Sequence, residues 1–544
     1  MVGRILDINT IFNILFTIMS MNEMQLKAVN SESKKILVLA GAGTGKSTVL
    51  LGRIARLIHD GVNPNEIIAL TFTNAAACEM KERYIRDNSG DKVPFFGTFH
   101  SFCYKLITSD IDVRIRLGYS KIPAVASTAD IKRIKTECIQ QCGTKLSLAK
   151  LDGEIPLLKT EKFQYDIFWK QYNKNLRQSS LITFDIMCYE VCELFTSNDS
   201  TILKYKDRLK HIFVDEFQDT DHRQWDFVRS FTNSNIFVVG DVKQELYAFR
   251  NADPEIIKSL SMNPEWETIK LSENYRCSNQ ICEYANAIHH SWGDAPYNLS
   301  IKGQFEGSQV MLCSAFTLTG FKCQDTILRI NGALAADKSV AILCRTNAEV
   351  KYTLYSLKQL DIPCRTNNDT NVYGYIVEAA HNPSFAVEWL SGKMNQDEYG
   401  KYLKMCSLDE SYSTYDRFRS MYADKFKYYF EQIESVKSIL NSDDFAMSKL
   451  VRIFGIFKKK TPKIEDSINS NEDVVNFLKT YYGEKSDSSG VYVGTIHSVK
   501  GLEYDEVHLI GVMGKSFKLD NEDNLNCFYV GVTRAKSRLY IYYG

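Results

Sequence analysis

The sequence predicts an α/β protein built from two parallel-sheet domains, each interrupted by a mainly helical insertion. Three observations carry this expectation. The chain has 544 residues, whereas a single hydrophobic core stops growing at roughly 250–300 residues, so it must be multidomain. Six short apolar runs recur, ILVLA (36–40), IIALT (67–71), HIFVDE (211–216), IFVVGD (236–241), VAILC (340–344) and VHLIG (507–511), each followed by a polar loop and a helical pattern. Such runs read as buried parallel strands. Four of them precede residue 245 and two follow 335, and each group is split by a long helix-like stretch, 105–184 in the first and 376–487 in the second.

Composition narrows the class. With 44% hydrophobic and 24% charged residues the chain lies in the ordinary globular range, away from collagenous, disordered or disulfide-stapled compositions. Sixty-six basic side chains balance sixty-six acidic ones, so a grip on nucleic acid must come from a local groove rather than an overall basic field. The fourteen cysteines are scattered, and Cys138/Cys142 and Cys188/Cys192 are CxxxC pairs on expected helices rather than the CxxC pairs of a zinc site. Free thiols in a reducing cytoplasm are the expectation. The opening MVGRILDINTIFNILFTIMS is interrupted by Asp7, Asn9 and Asn13 and lacks a small-residue cleavage site, so it reads as an N-terminal extension or mis-assigned start over 1–20 rather than a signal peptide. No other stretch approaches the roughly 18–20 apolar residues of a membrane span. The basic run Lys458–Lys460 with Lys463 reads as a solvated helix end or loop.

The first run leads into AGAGTGKST, Ala40 to Thr48. Small residues between a strand and a helix let backbone N–H groups wrap phosphates, and the helix N-terminus adds its dipole. In this pattern Lys46 reaches the β/γ phosphates of ATP and Ser47 binds Mg²⁺, although Ala40 stands where the strict pattern has glycine. A second acidic site follows in HIFVDEFQD, where a hydrophobic strand delivers Asp215 and Glu216 to its end. Asp215 can hold Mg²⁺ and Glu216 can orient and deprotonate water. In-line phosphoryl transfer also needs positive charge near the γ-phosphate, and Arg276 in LSENYRC and Arg534 in YVGVTRA are the candidates.

These residues occur in blocks whose order resembles superfamily 1A helicases of the UvrD, Rep and PcrA type, from Met21 to Gly544. MNEMQLKAV resembles the adenine-reading Q motif, LTFTNAAACEMKER motif Ia, GTFHSF motif Ib and VDEFQDTD motif II. VVGDVKQELYAFR is similar to motif III, LSENYR to motif IV, VGTIHSVKGLEYDEV to motif V and FYVGVTRAK to motif VI. The resemblance implies two RecA-like P-loop domains: 1A over 21–104 and 185–275, with insert 1B over 105–184, and 2A over 276–375 and 488–544, with a reduced insert 2B over 376–487.

It also implies site roles. Gln25 hydrogen-bonds the adenine and Tyr275 stacks on it. Gly41, Ala42, Gly43, Thr44, Gly45, Lys46, Ser47 and Thr48 cradle the phosphates, with Arg53 counted among the nucleotide contacts. Gln244 senses the γ-phosphate, Arg276 and Arg534 clamp it, and Glu503 contacts the ribose or metal region. For DNA, Phe72, Tyr247 and Phe249 are stacking platforms, with Thr73, Asn74, His100, Arg250 and His497 along the backbone path. Stacking of this kind is worth roughly 1–3 kcal/mol per base and tolerates any sequence. The implied activity is an ATP-dependent 3′→5′ single-stranded DNA translocase or helicase in repair, replication or phage biology, acting in the cytoplasm on single strands and single/double-strand junctions.

The chain departs from the family pattern at several places. Ala75 replaces a lysine in motif Ia; Lys243, Glu245, Leu246 and Asn251 alter motif III; NLNC precedes Tyr529. None removes a catalytic group, and the expected effect falls on DNA grip and coupling. The sequence ends just after the motif VI strand, so strand cutting is expected to need a partner protein. Compact UvrD-like proteins also occur as regulatory ATPase subunits of two-component antiviral systems such as Gabija, paired with a nuclease. That is the alternative reading, and an adjacent nuclease gene would favour it.

Overall fold

The computed structural model describes residues 21–88, 93–143, 151, 163–246, 252–314, 324–358, 360–366, 427–442, 444–456, 490–514 and 517–543, with isolated positions in 377–381, 416–420 and 470–478. The extension 1–20 and the lysines 458–460 and 463 lie outside the described residues.

The strands of the N-terminal region are β1 (Lys35–Ala40), β2 (Ile67–Thr71), β3 (Phe95–Thr98), β4 (Ala124–Val125), β5 (Leu181–Ile182), β6 (His211–Val214), β7 (Asn235–Gly240) and β8 (Glu267–Leu271). Six of them form a sheet ordered β3-β2-β6-β7-β1-β8, and every neighbouring pair is parallel, as in Val38↔Val239 and Ala69↔Phe213. Parallel neighbours need crossovers. The helices Lys46–His59, Asn74–Asp87, His222–Arg229 and Pro254–Met262 supply them.

The buried strands explain why the apolar runs were continuous rather than alternating. In β1 the four residues Ile36 to Leu39 are at most 2% exposed, and full burial of each such side chain stabilises by roughly 1.5–3 kcal/mol. Edge strand β8 alternates instead, with Ile269 and Leu271 buried and Lys270 exposed. Because the strands are parallel, their C-terminal ends lie along one sheet edge, the usual place for ligands in open α/β sheets. The loops after β1, β2, β6 and β7 therefore meet there.

Helix Phe99–Ser109 leaves the sheet and helix Phe184–Thr196 returns to it. Between them the described residues are mainly helical, with Ile111–Arg116, Thr128–Cys142 and Phe163–Gln178, and a two-residue pairing of β4 with β5. Their core is continuous with that of the sheet, from Ile134, Phe168 and Tyr172 to Phe195 and Phe227. Phe227 sits at its centre, with ring centroids of Phe195 and Phe231 at 4.7 and 5.2 Å.

Next come β9 (Glu273–Asn274), paired in parallel with β10 (Lys302–Gly303). A second six-stranded sheet comprises β11 (Met311–Ser314), β12 (Val340–Cys344), β13 (Cys364–Arg365), β14 (Val491–Thr495), β15 (Tyr504–Val512) and β16 (Ala535–Tyr543). All six expected apolar runs thus lie in strands. The chain forms two compact units. One holds residues up to Phe316, Leu343–Arg345 and Thr495–Gly544; in it β16 pairs in parallel with β11 and with β15, as in Val507↔Leu539. The other holds Thr317–Ile342 and Thr346–Gly494, with the helices Gln324–Ala335, Asn347–Lys358, Lys427–Leu440 and Ala446–Ile456. Among the described residues no helix is long and apolar enough to cross a membrane.

Candidate nucleotide-binding site

The loop Gly41–Gly45 leaves β1, and helix Lys46–His59 begins on Gly45 in the left-handed conformation, φ 86°. Gly43 is also left-handed, φ 68°, a region only glycine enters without cost. Crowding adds to the requirement. A Cβ on Gly43 would stand 2.6 Å from the Arg276 Cβ, and one on Gly45 would stand 2.7 Å from Gln25 Nε2. The loop is therefore pressed against two other motifs. Ala40 and Ala42 are buried, and Thr44 Oγ1 donates to the Gly41 carbonyl at 2.9 Å, so the alanine at the first position leaves the loop shape intact.

One rim is the N-terminal helix Glu23–Asn30, capped reciprocally by Asn22 and Gln25. Gln25 Nε2 donates to the Thr44 carbonyl at 3.0 Å, which ties it to the loop. Asn22 Nδ2 donates to Tyr275 Oη at 2.8 Å and to Glu273 Oε2 at 3.1 Å. The tyrosine is thus held by its hydroxyl while remaining 48% exposed, which leaves ring surface open to a planar base. Asn274 is fully buried and does more than its neighbours. Its Nδ2 donates to the Ala42 carbonyl at 2.6 Å, and its Oδ1 accepts from the N–H groups of Arg276 and Cys277. That side chain locks the arginine-bearing loop onto the phosphate loop.

Opposite lies the acidic edge. Asp215 follows β6, its N–H donating to the Leu70 carbonyl, and Glu216 is left-handed at φ 50°, an outlier of the kind that accumulates at functional sites. Lys46 Nζ is 3.6 Å from Glu216 Oε2. Lys500 Nζ stands 4.0 Å from the same oxygen, pairs with Asp219 and donates to the Gln244 carbonyl at 3.1 Å. Gln218 bridges Glu216 to the Asp241 N–H, and Asp241 in turn accepts from Gln244 Nε2 at 2.7 Å. The two carboxyls divide accordingly. Burial first, then the Glu216 charge, pushes Asp215 up to about 7 against the pull of Lys46. Glu216 goes down to about 2, burial opposing and the charges of Lys46 and Lys500 prevailing.

Lys46 Nζ and Asp215 Oδ1 are buried without a hydrogen-bond partner among the described residues. Such orphaned groups are costly unless a ligand satisfies them. A phosphate and a hard divalent cation fit that pair, and the oxygen donors of Asp215 and Ser47 are those Mg²⁺ prefers.

The two arginines approach from the other side. Arg276 Nε donates to Glu503 Oε2 at 2.6 Å, and Glu503 also pairs with Lys536 at 3.0 Å. Arg534 is 1% exposed and donates to the carbonyls of Val530 and Leu502 and to Thr533 Oγ1. Burial, then repulsion from Arg276, lowers it to about 9. Its charge reaches Glu216.

One expectation is corrected. Arg53 turns away from any phosphate: buried, it donates to the carbonyls of Ala28, Val29 and Ser31, capping the end of the Gln25 helix. Glu503 pairs with Arg276 and Lys536 and keeps an exposed carboxylate edge. Thr48 Oγ1 accepts from Arg83 at 3.2 Å.

Of the DNA-path residues, Tyr247, Phe249 and Arg250 lie outside the described residues. Phe72 and Thr73 follow β2; Thr73 caps helix Asn74–Asp87, whose first residue Asn74 is exposed. His100 is partly buried in the first turn of helix Phe99–Ser109, its ring 5.9 Å from Phe184. His497 lies in the turn Ile496–Val499, its pKa lowered by burial and then by Arg345 and Lys500.

Sequence reasoning missed Asn22, Gln218, Asp219, Asn274 and Lys500. Each sits inside or beside a motif already noted. What was invisible was the pairing of Asp219 with Lys500 and of Asn274 with Ala42, across 281 and 232 residues.

Comparison with known proteins places the chain in a family. The UvrD/REP helicase N-terminal domain matches residues 21–265, and the UvrD-like helicase C-terminal domain matches 396–544. Among curated relatives, ATP-dependent DNA helicase PcrA of Staphylococcus epidermidis is 26% identical, over 96% of this chain and 83% of the relative. The putative ATP-dependent DNA helicase YjcD of Bacillus subtilis is also 26% identical, over 97% and 79%.

Proposed function

This chain belongs to the UvrD/Rep/PcrA type of superfamily 1A helicases and is an ATP-hydrolysing DNA helicase, and from that membership we propose that it moves 3′→5′ along single-stranded DNA, using Mg²⁺-ATP bound at the edge of the first sheet. The observation that carries the site assignment is the unsatisfied pair Lys46 Nζ and Asp215 Oδ1, beside Glu216, with which Lys46 is paired.

Lys46 and the loop amides hold the β and γ phosphates, Gln25 and Tyr275 hold the base, and Ser47 and Asp215 hold Mg²⁺, which supplies charge neutralisation. Glu216 orients the attacking water and takes its proton. Its basicity is suppressed while Lys46 and Lys500 face it; once Lys46 turns to phosphate, the strongest of those charges is shared and the carboxylate becomes a better base. Arg276 and Arg534 stabilise charge on the transferring phosphoryl group. Gln244 carries the signal towards the strand: its side chain is bonded to Asp241 and its carbonyl to Lys500, so a shift at the γ-phosphate is felt by the segments leading to Tyr247, Phe249, Arg250 and His497. With Phe72, Thr73, Asn74 and His100 these form a sequence-tolerant track, as a motor needs, since base readout would stall it. Alternating domain closure and release moves the strand.

Strand displacement on duplexes with either a 3′ or a 5′ single-stranded tail tests the direction. Unwinding is expected with the 3′ tail alone. A preference for the 5′ tail would overturn the polarity.

A further inference from the structure

Away from the nucleotide site, three thiols converge in the core. Cys103 lies on helix Phe99–Ser109, while Cys188 and Cys192 lie four residues apart, hence on one face, of helix Phe184–Thr196. They are 1%, 8% and 3% exposed, and their Sγ atoms all lie within 4.8 Å of one another. The surrounding core is filled by large aromatic and aliphatic side chains such as Phe99, Phe102 and Phe195, so three sulfurs meeting at one point is a departure from the local packing chemistry. A Zn–S distance of about 2.3 Å in tetrahedral geometry places sulfurs about 3.8 Å apart, within the observed limit.

We infer that Cys103, Cys188 and Cys192 form a buried trithiolate site for a thiophilic d¹⁰ cation, Zn²⁺ or Cu⁺, which pins together the two helices that leave and re-enter the first domain at the root of its helical insert. Soft sulfur ligands select these ions over Mg²⁺ or Ca²⁺. Each thiol gives up its proton to solvent as the metal–sulfur bond forms, with no change of oxidation state. Three sulfurs suffice for Cu⁺, and Zn²⁺ would take a small exogenous fourth ligand; His100, one turn before Cys103 on the same helix, is not among the ligand atoms that converge there. The site has no part in phosphate chemistry. It would fix the angle at which the insert springs from the domain, directly beside a residue of the proposed DNA path.

The full-length chain, purified anaerobically without added metal or chelator, is expected to carry stoichiometric zinc or copper by elemental mass spectrometry, with X-ray absorption showing a sulfur-dominated shell. Cys188→Ala is expected to lose the metal, and Cys142→Ala, on a different helix, to keep it. Should Cys188→Ala fail to fold, Co²⁺ added to the metal-free natural chain is expected to give thiolate-to-cobalt charge-transfer absorption. Metal retained by Cys188→Ala, or a natural chain that carries no soft metal and gives no cobalt absorption, would overturn the site.

Discussion

Arg534→Ala is expected to lower kcat for ATP hydrolysis by about 10³–10⁵-fold, the range for removing an arginine that stabilises phosphoryl-transfer charge. The effect has two sources that can be separated. Arg534 is fully buried and its guanidinium holds the carbonyls of Val530 and Leu502, so truncation also leaves acceptors unpaired, at about 1–3 kcal/mol each. Arg534→Lys retains the charge but not the planar fork. If the role were structural alone, kcat loss would track the thermal unfolding midpoint across Ala, Lys and Gln variants. Lys is expected instead to retain appreciably more turnover than Gln at similar stability, with KM for ATP little changed in both.

Lys46→Ala should come next in size, reducing kcat/KM for ATP by at least about 10²–10³-fold, as expected for one preorganised donor aimed at transition-state charge. Its local environment makes the result diagnostic. Lys46 Nζ has no hydrogen-bond partner among the described residues and only a 3.6 Å ion pair with Glu216, so little native structure depends on it. The variant should fold normally and keep most of its single-stranded DNA binding, measured by fluorescence anisotropy. Turnover that survives the substitution would mean that phosphate binds elsewhere.

How far the sequence could be read followed from how local each feature was. Strands β1, β2, β6 and β7 are buried on both faces and announced themselves as apolar runs. Edge strands β3 and β8 did not, because FFGT and ETIKL carry mixed burial. Strand β14 was hidden by its polar end, Thr495, while β16 was legible only as the strand that follows motif VI, Lys536 and Arg538 breaking its apolar pattern. In the site, the phosphate loop and the Asp215–Glu216 pair were legible because each is contiguous. Asn274 and Lys500 were not: their roles rest on partners brought close only by the fold. Arg53 misled for the complementary reason, since its place on the helix after the loop suggested a phosphate contact while its side chain reaches back to the carbonyls of Ala28, Val29 and Ser31. The cysteines show the same limit. Read along the chain, Cys188 and Cys192 were an unremarkable helical pair, and Cys103 lies 85 residues before Cys188.

The central claim is that ATP turnover at this site drives movement on single-stranded DNA, and steady-state hydrolysis measured with and without an unstructured oligonucleotide tests it most directly. Turnover by the natural chain is expected to rise many-fold with the oligonucleotide, and Lys46→Ala to lower both the basal and the stimulated rate by at least about 10²-fold. Turnover by the natural chain that is unchanged by DNA of any length would contradict it.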